Sequence, residues 1–157
     1  MDSVEVLVEA FGEVDGAASV YLTPGSGLGP TLALRAGGKH VFGDSIPFHE
    51  AAYLGGASDV RGYFENRYAG ESAAFANAEL RFKLFRYNLL VPTDLGLLGI
   101  ADIGRVWLDG DPSEADDWHA GVGGGLWWAF VGKQTLSLAI VNGDDRTGVY
   151  IRAGFLF

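Results

Sequence analysis

Polar and apolar side chains alternate with a period of two along most of the chain. The clearest example is the stretch 75–84, where Asn77, Glu79, Arg81 and Lys83 share one face and apolar side chains fill the other. Successive side chains of a β-strand point to opposite faces of the sheet, so this pattern predicts strands with one polar and one apolar face. The same alternation recurs near both ends of the chain.

Eight strands are predicted, at about 3–13, 17–23, 30–42, 74–87, 94–108, 117–131, 134–142 and 147–157. Short turns are predicted at Asp15-Gly16, Pro92-Thr93 and Gly132-Lys133, and a long loop at about 43–73, between strands 3 and 4. Short turns on one side and longer loops on the other are typical of outer-membrane barrels. The pattern therefore predicts an all-β fold, an antiparallel transmembrane β-barrel forming a single domain over 1–157.

The polar face favours a membrane barrel over a soluble one. Its charged members are Glu5, Glu9, Arg35, Glu79, Arg81, Asp102 and Arg152. A soluble core would bury them together at a high desolvation cost, whereas a barrel surrounded by lipid can use them to line a wet or salt-bridged interior. A soluble β-barrel that binds a small ligand stays open as an alternative, because half-buried strands in water alternate too.

Composition and charge exclude several other classes. The 157 residues include 24 Gly and no Cys, and the net charge of −9 argues against a nucleic-acid partner, which needs clustered Lys and Arg. The longest charge-free run, Gly16–Leu34, contains two prolines and is not a membrane-spanning helix. The first residues do not resemble a signal peptide, so an exported protein would lack its leader in this chain.

No arrangement typical of catalysis or metal binding is found. Phe48-His49-Glu50 lacks a second His four residues after the first, and the glycine-rich stretches 25–30 and 121–125 lack the spacing of a nucleotide-binding loop. The acidic run Asp109–Asp117 is better explained as a solvated loop than as a Ca²⁺ site. We therefore expect no enzymatic activity, no metal and no cofactor.

The tetrapeptide Val60-Arg61-Gly62-Tyr63 lies in the long loop and carries a candidate interaction. The Arg61 guanidinium offers a fixed fork of donors that suits carboxylates, and strand parity places Glu79 and Asp102 on the inner face. Folding the loop back would satisfy all three charges together. Removing one of them would then leave another uncompensated, at a cost of about 3–5 kcal/mol.

Three motifs in this order resemble the BamA/TamA superfamily of outer-membrane assembly and two-partner secretion proteins. They are the Val60–Tyr63 loop before a strand with inward Glu79, the strand "IADIGRVW" with Asp102, and a C-terminal strand ending in Phe157. The resemblance implies that Arg61, Glu79 and Asp102 lock the loop to the barrel wall. It also implies that Tyr150, Gly154, Phe155 and Phe157 belong to a terminal signal read by the outer-membrane assembly machinery.

The resemblance implies a bacterial outer-membrane protein, of the bacterial surface antigen type, that assists insertion or passage of other polypeptides. The implied partners are the lipid bilayer, the assembly machinery, and either client polypeptides or a second copy. A structural anchor barrel, or the C-terminal part of a larger fusion with no insertase activity, is the alternative. An upstream periplasmic module, which family members ordinarily have, is missing from these 157 residues.

The number of strands leaves two architectures open. Family members ordinarily have sixteen strands, so eight strands form either half of a larger barrel, completed by a partner copy or a missing segment, or a small closed barrel. The small closed barrel is the preferred prediction for the chain alone, with the loop mostly above an interior that side chains fill. Gly121, Gly123 and Gly125 are expected to allow close approach of the loop tip or of Trp127.

Overall fold

The computed structural model describes residues 12–25, 29–43, 51–88, 90–108, 117–130 and 134–157. These residues form nine strands: β1 (Gly12–Leu22), β2 (Thr31–Phe42), β3 (Ala52–Leu54), β4 (Tyr68–Gly70), β5 (Ser72–Asn88), β6 (Pro92–Trp107), β7 (His119–Phe130), β8 (Gln134–Asn142) and β9 (Thr147–Ala153). No helix long and apolar enough to span a membrane occurs in those ranges. The predicted all-β fold class is confirmed.

Seven of the strands form one antiparallel sheet in the order β1-β2-β5-β6-β7-β8-β9. Strands β3 and β4 pair separately and are inserted between β2 and β5. The large sheet is therefore a meander interrupted by one small hairpin. Over the described residues no pairing joins β1 to β9, so the structure shows an open sheet where the sequence predicted a closed barrel of eight strands.

The first predicted turn is wrong. Asp15 and Gly16 lie inside β1, which pairs with β2 along its whole length. Gly16 stands opposite Gly38 in that ladder, and β1 is an edge strand of the described sheet, where a polar dipeptide is tolerated. Several predicted features lie outside the described residues: strand residues 3–11 with Glu5 and Glu9, residues 44–50 with Phe48-His49-Glu50, the acidic stretch 109–116, and the turn at Gly132-Lys133.

Two further boundaries differ from the prediction. Pro92 is the first residue of β6 and stands opposite Asn88, so the turn precedes the predicted Pro92-Thr93. Proline is accepted at the first position of a strand, where its missing N–H costs little. The predicted loop at 43–73 is partly regular, because β3 and β4 form a hairpin within it.

The two faces of the large sheet have opposite chemistry. We call the face that carries Glu79 and Asp102 the inner face, and these two residues are 0% and 3% exposed. On the outer face every strand of the large sheet carries exposed large apolar side chains, for example Val122 at 60% and Ile151 at 73%. This inversion of a soluble core confirms the alternation read from the sequence, and lipid is the environment that suits such an outer face.

Two apolar clusters lie on the inner face. The first joins Val41, Ala52, Leu54, Val60, Tyr63, Ala73 and Val106, so it packs the inserted segment against β2, β5 and β6. The second joins Leu98, Ile100, Trp127, Ala139 and Val141. Since the charged residues Glu79 and Asp102 share this face with them, the interior combines apolar packing with a buried ionic cluster.

Candidate functional site

The candidate site is built on residues 55–67, which connect β3 to β4 and which we call the motif segment. Ala52 and Leu54 of β3 are buried, and the Glu71 N–H just after β4 donates to the Trp107 carbonyl of β6. The Val41 N–H of β2 in turn donates to the Glu71 carbonyl. These contacts hold the hairpin against the inner face, so that the motif segment lies over the strands that carry the predicted carboxylates.

Gly62 is the position of the motif where only glycine fits. Its φ of +95° is left-handed, and a Cβ there would lie 2.5 Å from the backbone N of Gly143. The Gly62 N–H donates to the Tyr150 hydroxyl oxygen at 2.7 Å, and its carbonyl accepts from the Arg146 N–H at 3.2 Å. Gly62 therefore brings the motif segment into direct contact with the β8–β9 turn and with β9.

Arg61 binds both predicted carboxylates. Its Nε and Nη2 donate to the two oxygens of Asp102 at 2.6 and 2.7 Å, and its Nη1 donates to Glu79 Oε1 at 2.7 Å. The Arg61 backbone N–H adds a bond to Asp102 Oδ2 at 3.1 Å. All three side chains are nearly fully buried. The structure thus brings together the three residues for which the sequence suggested this contact.

The four side chains of the cluster are balanced in charge, and each carboxylate oxygen accepts a hydrogen bond. Arg81 donates to Glu79 Oε2 at 2.7 Å, so two guanidinium groups face two carboxylates. Burial acts to lower the pKa of Arg61, but Asp102 and Glu79 outweigh it and hold that pKa above its usual value. Because all four carboxylate oxygens already accept from described donors, the cluster is suited to holding the segment in place.

Asn77 is a site residue that sequence reasoning placed on the inner face without assigning a role. Its Nδ2 donates both to Asp102 Oδ1 and to the backbone carbonyl of Asp59. The signal in the sequence was its position two residues before Glu79, which places Asn77 on the same inner face of the strand. Asn77 therefore ties the backbone of the motif segment to the same carboxylate that binds Arg61.

Gly121 allows the close approach predicted for the glycines of β7. A Cβ on Gly121 would overlap the backbone carbonyl oxygen of Arg61. Gly123 and Gly125 have a different environment, since a Cβ on either would meet backbone atoms of β8. Trp127, the other candidate, lies over Gly96 of β6.

Val60 and Tyr63 fix the two ends of the tetrapeptide. Val60 is 1% exposed, and its Cγ2 would lie 2.7 Å from a Cβ on Gly104. The Tyr63 hydroxyl contacts the Ala120 carbonyl and Asp144 Oδ2, both at 3.1 Å. Burial raises the pKa of Tyr63 above its usual value, so the phenol stays protonated and donates.

The motif segment also reaches strands far from the ionic cluster. Arg35 of β2 donates to the Ser58 carbonyl at 2.9 Å, and Arg152 of β9 donates to the Ala57 carbonyl at 2.8 Å. Together with the contacts to β5, β6 and β7 described above, these bonds connect one short segment to five strands of the sheet. The segment is therefore a brace across the inner face.

The four residues of the predicted terminal signal occupy two environments. Tyr150 points inward and meets Gly62, whereas the chain leaves β9 after Ala153 at Gly154, whose φ is +104°. The prediction that the last strand continues to residue 157 is wrong, since β9 ends at Ala153. Unbroken alternation would have placed Phe155 on the outer face, together with Ile151. Phe155 instead contacts Trp127 and Arg81 on the inner side, because the left-handed glycine reverses the alternation.

An antiparallel sheet with an apolar outer face, a charged inner face and a long connection folded against it is consistent with a β-barrel family of membrane proteins, although the described strands form an open sheet. A family model described as the Omp85 superfamily domain matches residues 9–157. The chain therefore belongs to the Omp85 superfamily, in agreement with the resemblance seen in its motifs. A search of curated proteins gave no match.

Proposed function

We propose that the chain is part of a bacterial outer-membrane barrel of the BamA/TamA type that assists insertion or translocation of other polypeptides without catalysing a chemical reaction. The observation that carries the proposal is the buried contact of Arg61 with Glu79 and Asp102, found in a chain of this superfamily. Its partners are then the bilayer, the assembly machinery and client polypeptides.

A client-insertion assay tests the proposal. Vesicles containing the protein should speed the folding of an unrelated outer-membrane barrel relative to empty vesicles. The Arg61→Ala variant at the same density should be slower than the wild type, because the inner wall loses its brace. The anchor hypothesis predicts no acceleration by any variant, and that outcome would contradict the proposed function.

We further propose that the complete barrel has more strands than this chain supplies. An eight-stranded barrel has an interior just wide enough for side chains. Here the inner face holds a whole polypeptide segment with its own hairpin, and the far side of that segment is exposed, with Phe64 at 53%. The remaining wall would come from further strands of a longer chain or from a second copy.

A further inference from the structure

Arg81 is a residue of the inner face that the tetrapeptide motif does not include. It lies on β5, two positions after Glu79, and binds Glu79 Oε2 through Nη2. The same Nη2 donates to the backbone oxygen of Phe157 at 2.8 Å, and the guanidinium carbon lies 3.8 Å from the centre of the Phe155 ring. One side chain therefore joins the ionic cluster to the last residues of the chain.

These last residues, 154–157, which we call the C-terminal segment, run along the inner side after β9 ends. Gly154 donates through its N–H to the Thr135 carbonyl, and its own carbonyl accepts from the Ser137 hydroxyl, both at 2.7 Å. Beyond this anchor the contacts are aromatic: Phe155 packs on Trp127, and Phe157 lies near Tyr21 of β1. Arg81 is the charged side chain that fixes the segment past Gly154.

We propose that Arg81 positions the C-terminal segment and that Glu79, shared by Arg61 and Arg81, couples this segment to docking of the motif segment. Glu79 is fully buried and gives one oxygen to each arginine. Without Arg61, two buried carboxylates compete for Arg81, which moves off Phe155 and Phe157 toward them. This coupling is a property of the fold and stands whether or not the proposed function holds.

A spin label at the C-terminal segment tests the coupling directly. Because the chain has no cysteine, Leu156→Cys provides a single labelling site. Arg81→Ala should convert the label from a restrained to a mobile spectrum, and Arg61→Ala should do the same from the other end of the cluster. Arg86→Ala is the matched control, since Arg86 pairs with Asp94 and shares no partner with the cluster.

The outcomes separate the hypotheses. If Arg61→Ala leaves the label restrained while trypsin now cleaves the released motif segment at Arg67, the two segments are independent and the coupling is wrong. If Arg81→Ala leaves the label restrained, Arg81 does not position the segment. Mobilisation by Arg86→Ala as well would show general loosening of the sheet and would also overturn the proposal.

A double-mutant cycle provides a second, independent test of the coupling through Glu79. Changes at residues without shared partners add in their effect on the free energy of unfolding, whereas changes at residues in one ionic network do not. The effects of Arg61→Ala and Arg81→Ala should therefore be non-additive, and those of Arg61→Ala and Arg86→Ala should add. Additivity in the first pair would overturn the shared role of Glu79.

Discussion

At the scale of individual residues, Arg61 is the side chain that binds both buried carboxylates of the ionic cluster. It compensates the carboxylates of two buried residues, Glu79 and Asp102, and it binds Asp102 through two parallel hydrogen bonds. A buried ion pair adds little stability compared with apolar packing, but breaking one side of it leaves a charge without a partner. The consequences of substitution are therefore much larger than the net value of the contact.

We expect Arg61→Ala to lower the free energy of unfolding by about 3–5 kcal/mol, because Glu79 and Asp102 lose their shared cation. The free energy of unfolding of Arg61→Lys should lie between those of the wild type and Arg61→Ala, since an ammonium group restores the charge without the bidentate geometry. Denaturant unfolding in lipid vesicles measures both. Arg67→Ala is the control, because the side chain of Arg67 is 49% exposed and its pair with Asp145 contributes little. Equal effects of Arg61→Ala and Arg67→Ala would contradict the role given to Arg61.

Gly121 and Gly99 offer a matched pair of glycine substitutions. A Cβ on Gly121 would overlap the Arg61 carbonyl, so Gly121→Ala should displace the motif segment and destabilise the protein by about 1–3 kcal/mol. Gly99→Ala should be close to neutral, because the nearest atom to a Cβ there is 3.8 Å away. Thermal unfolding of both variants measures this difference. An unchanged unfolding temperature of Gly121→Ala would argue against close docking of the motif segment on β7.

Asp59 gives the motif segment a dependence on pH. Burial raises the pKa of this carboxyl above its usual value, an effect that the nearby Arg35 opposes. The folded state therefore holds the proton more tightly than the unfolded state, and the stability due to the neutral form is lost as the pH rises through the folded pKa. Asp59→Asn should be more stable than wild type at neutral pH, and the difference should shrink on acidification. Equal unfolding midpoints of Asp59→Asn and the wild type at pH 7 would contradict the destabilising role of the Asp59 charge.

At the scale of elements, parity in the sequence was enough to identify β2 and β5–β8 and their two faces, but not the short hairpin of β3 and β4. Inward Asp102 and outward Ile103 of β6 follow from alternation alone, since a strand has a period of two. Parity could not show where β9 ends, because one left-handed glycine, Gly154, redirects the chain. Nor could it show that β1 passes through Asp15-Gly16, since that depends on pairing with β2, a long-range interaction.

The candidate site was predictable to a similar degree. Arg61, Glu79 and Asp102 could be grouped from charge, parity and resemblance. Asn77 and Arg81 were visible as inward polar residues, but their roles depend on where the backbone of Asp59 and Phe157 comes to lie. Contacts of side chains with distant backbone atoms leave no periodic signal in a sequence.

At the scale of the whole molecule, the open sheet and the exposed far side of the motif segment determine the expected assembly. We expect the purified 157-residue chain to associate in detergent, because over the described residues the outer edges of β1 and β9 have no strand partner, and unpaired edges favour pairing with another copy. Light scattering coupled to size-exclusion chromatography measures the protein mass in the particle. A stable monomer in which the motif segment resists protease would contradict the larger barrel.

The motif segment is docked on the inner face of β6, and an engineered disulfide between the two can test this docking. Val60 Cγ2 lies 2.7 Å from the position of a Cβ on Gly104, so Val60→Cys with Gly104→Cys places two thiols within bonding reach. Val60→Cys with Gly99→Cys is the control, because Gly99 lies on the same strand as Gly104 but on the outer face of the sheet. Under oxidising conditions in lipid vesicles, we predict that a disulfide forms between residues 60 and 104 but not between residues 60 and 99. Two free thiols at 60 and 104, both open to alkylation in the folded protein, would contradict docking of the motif segment on β6.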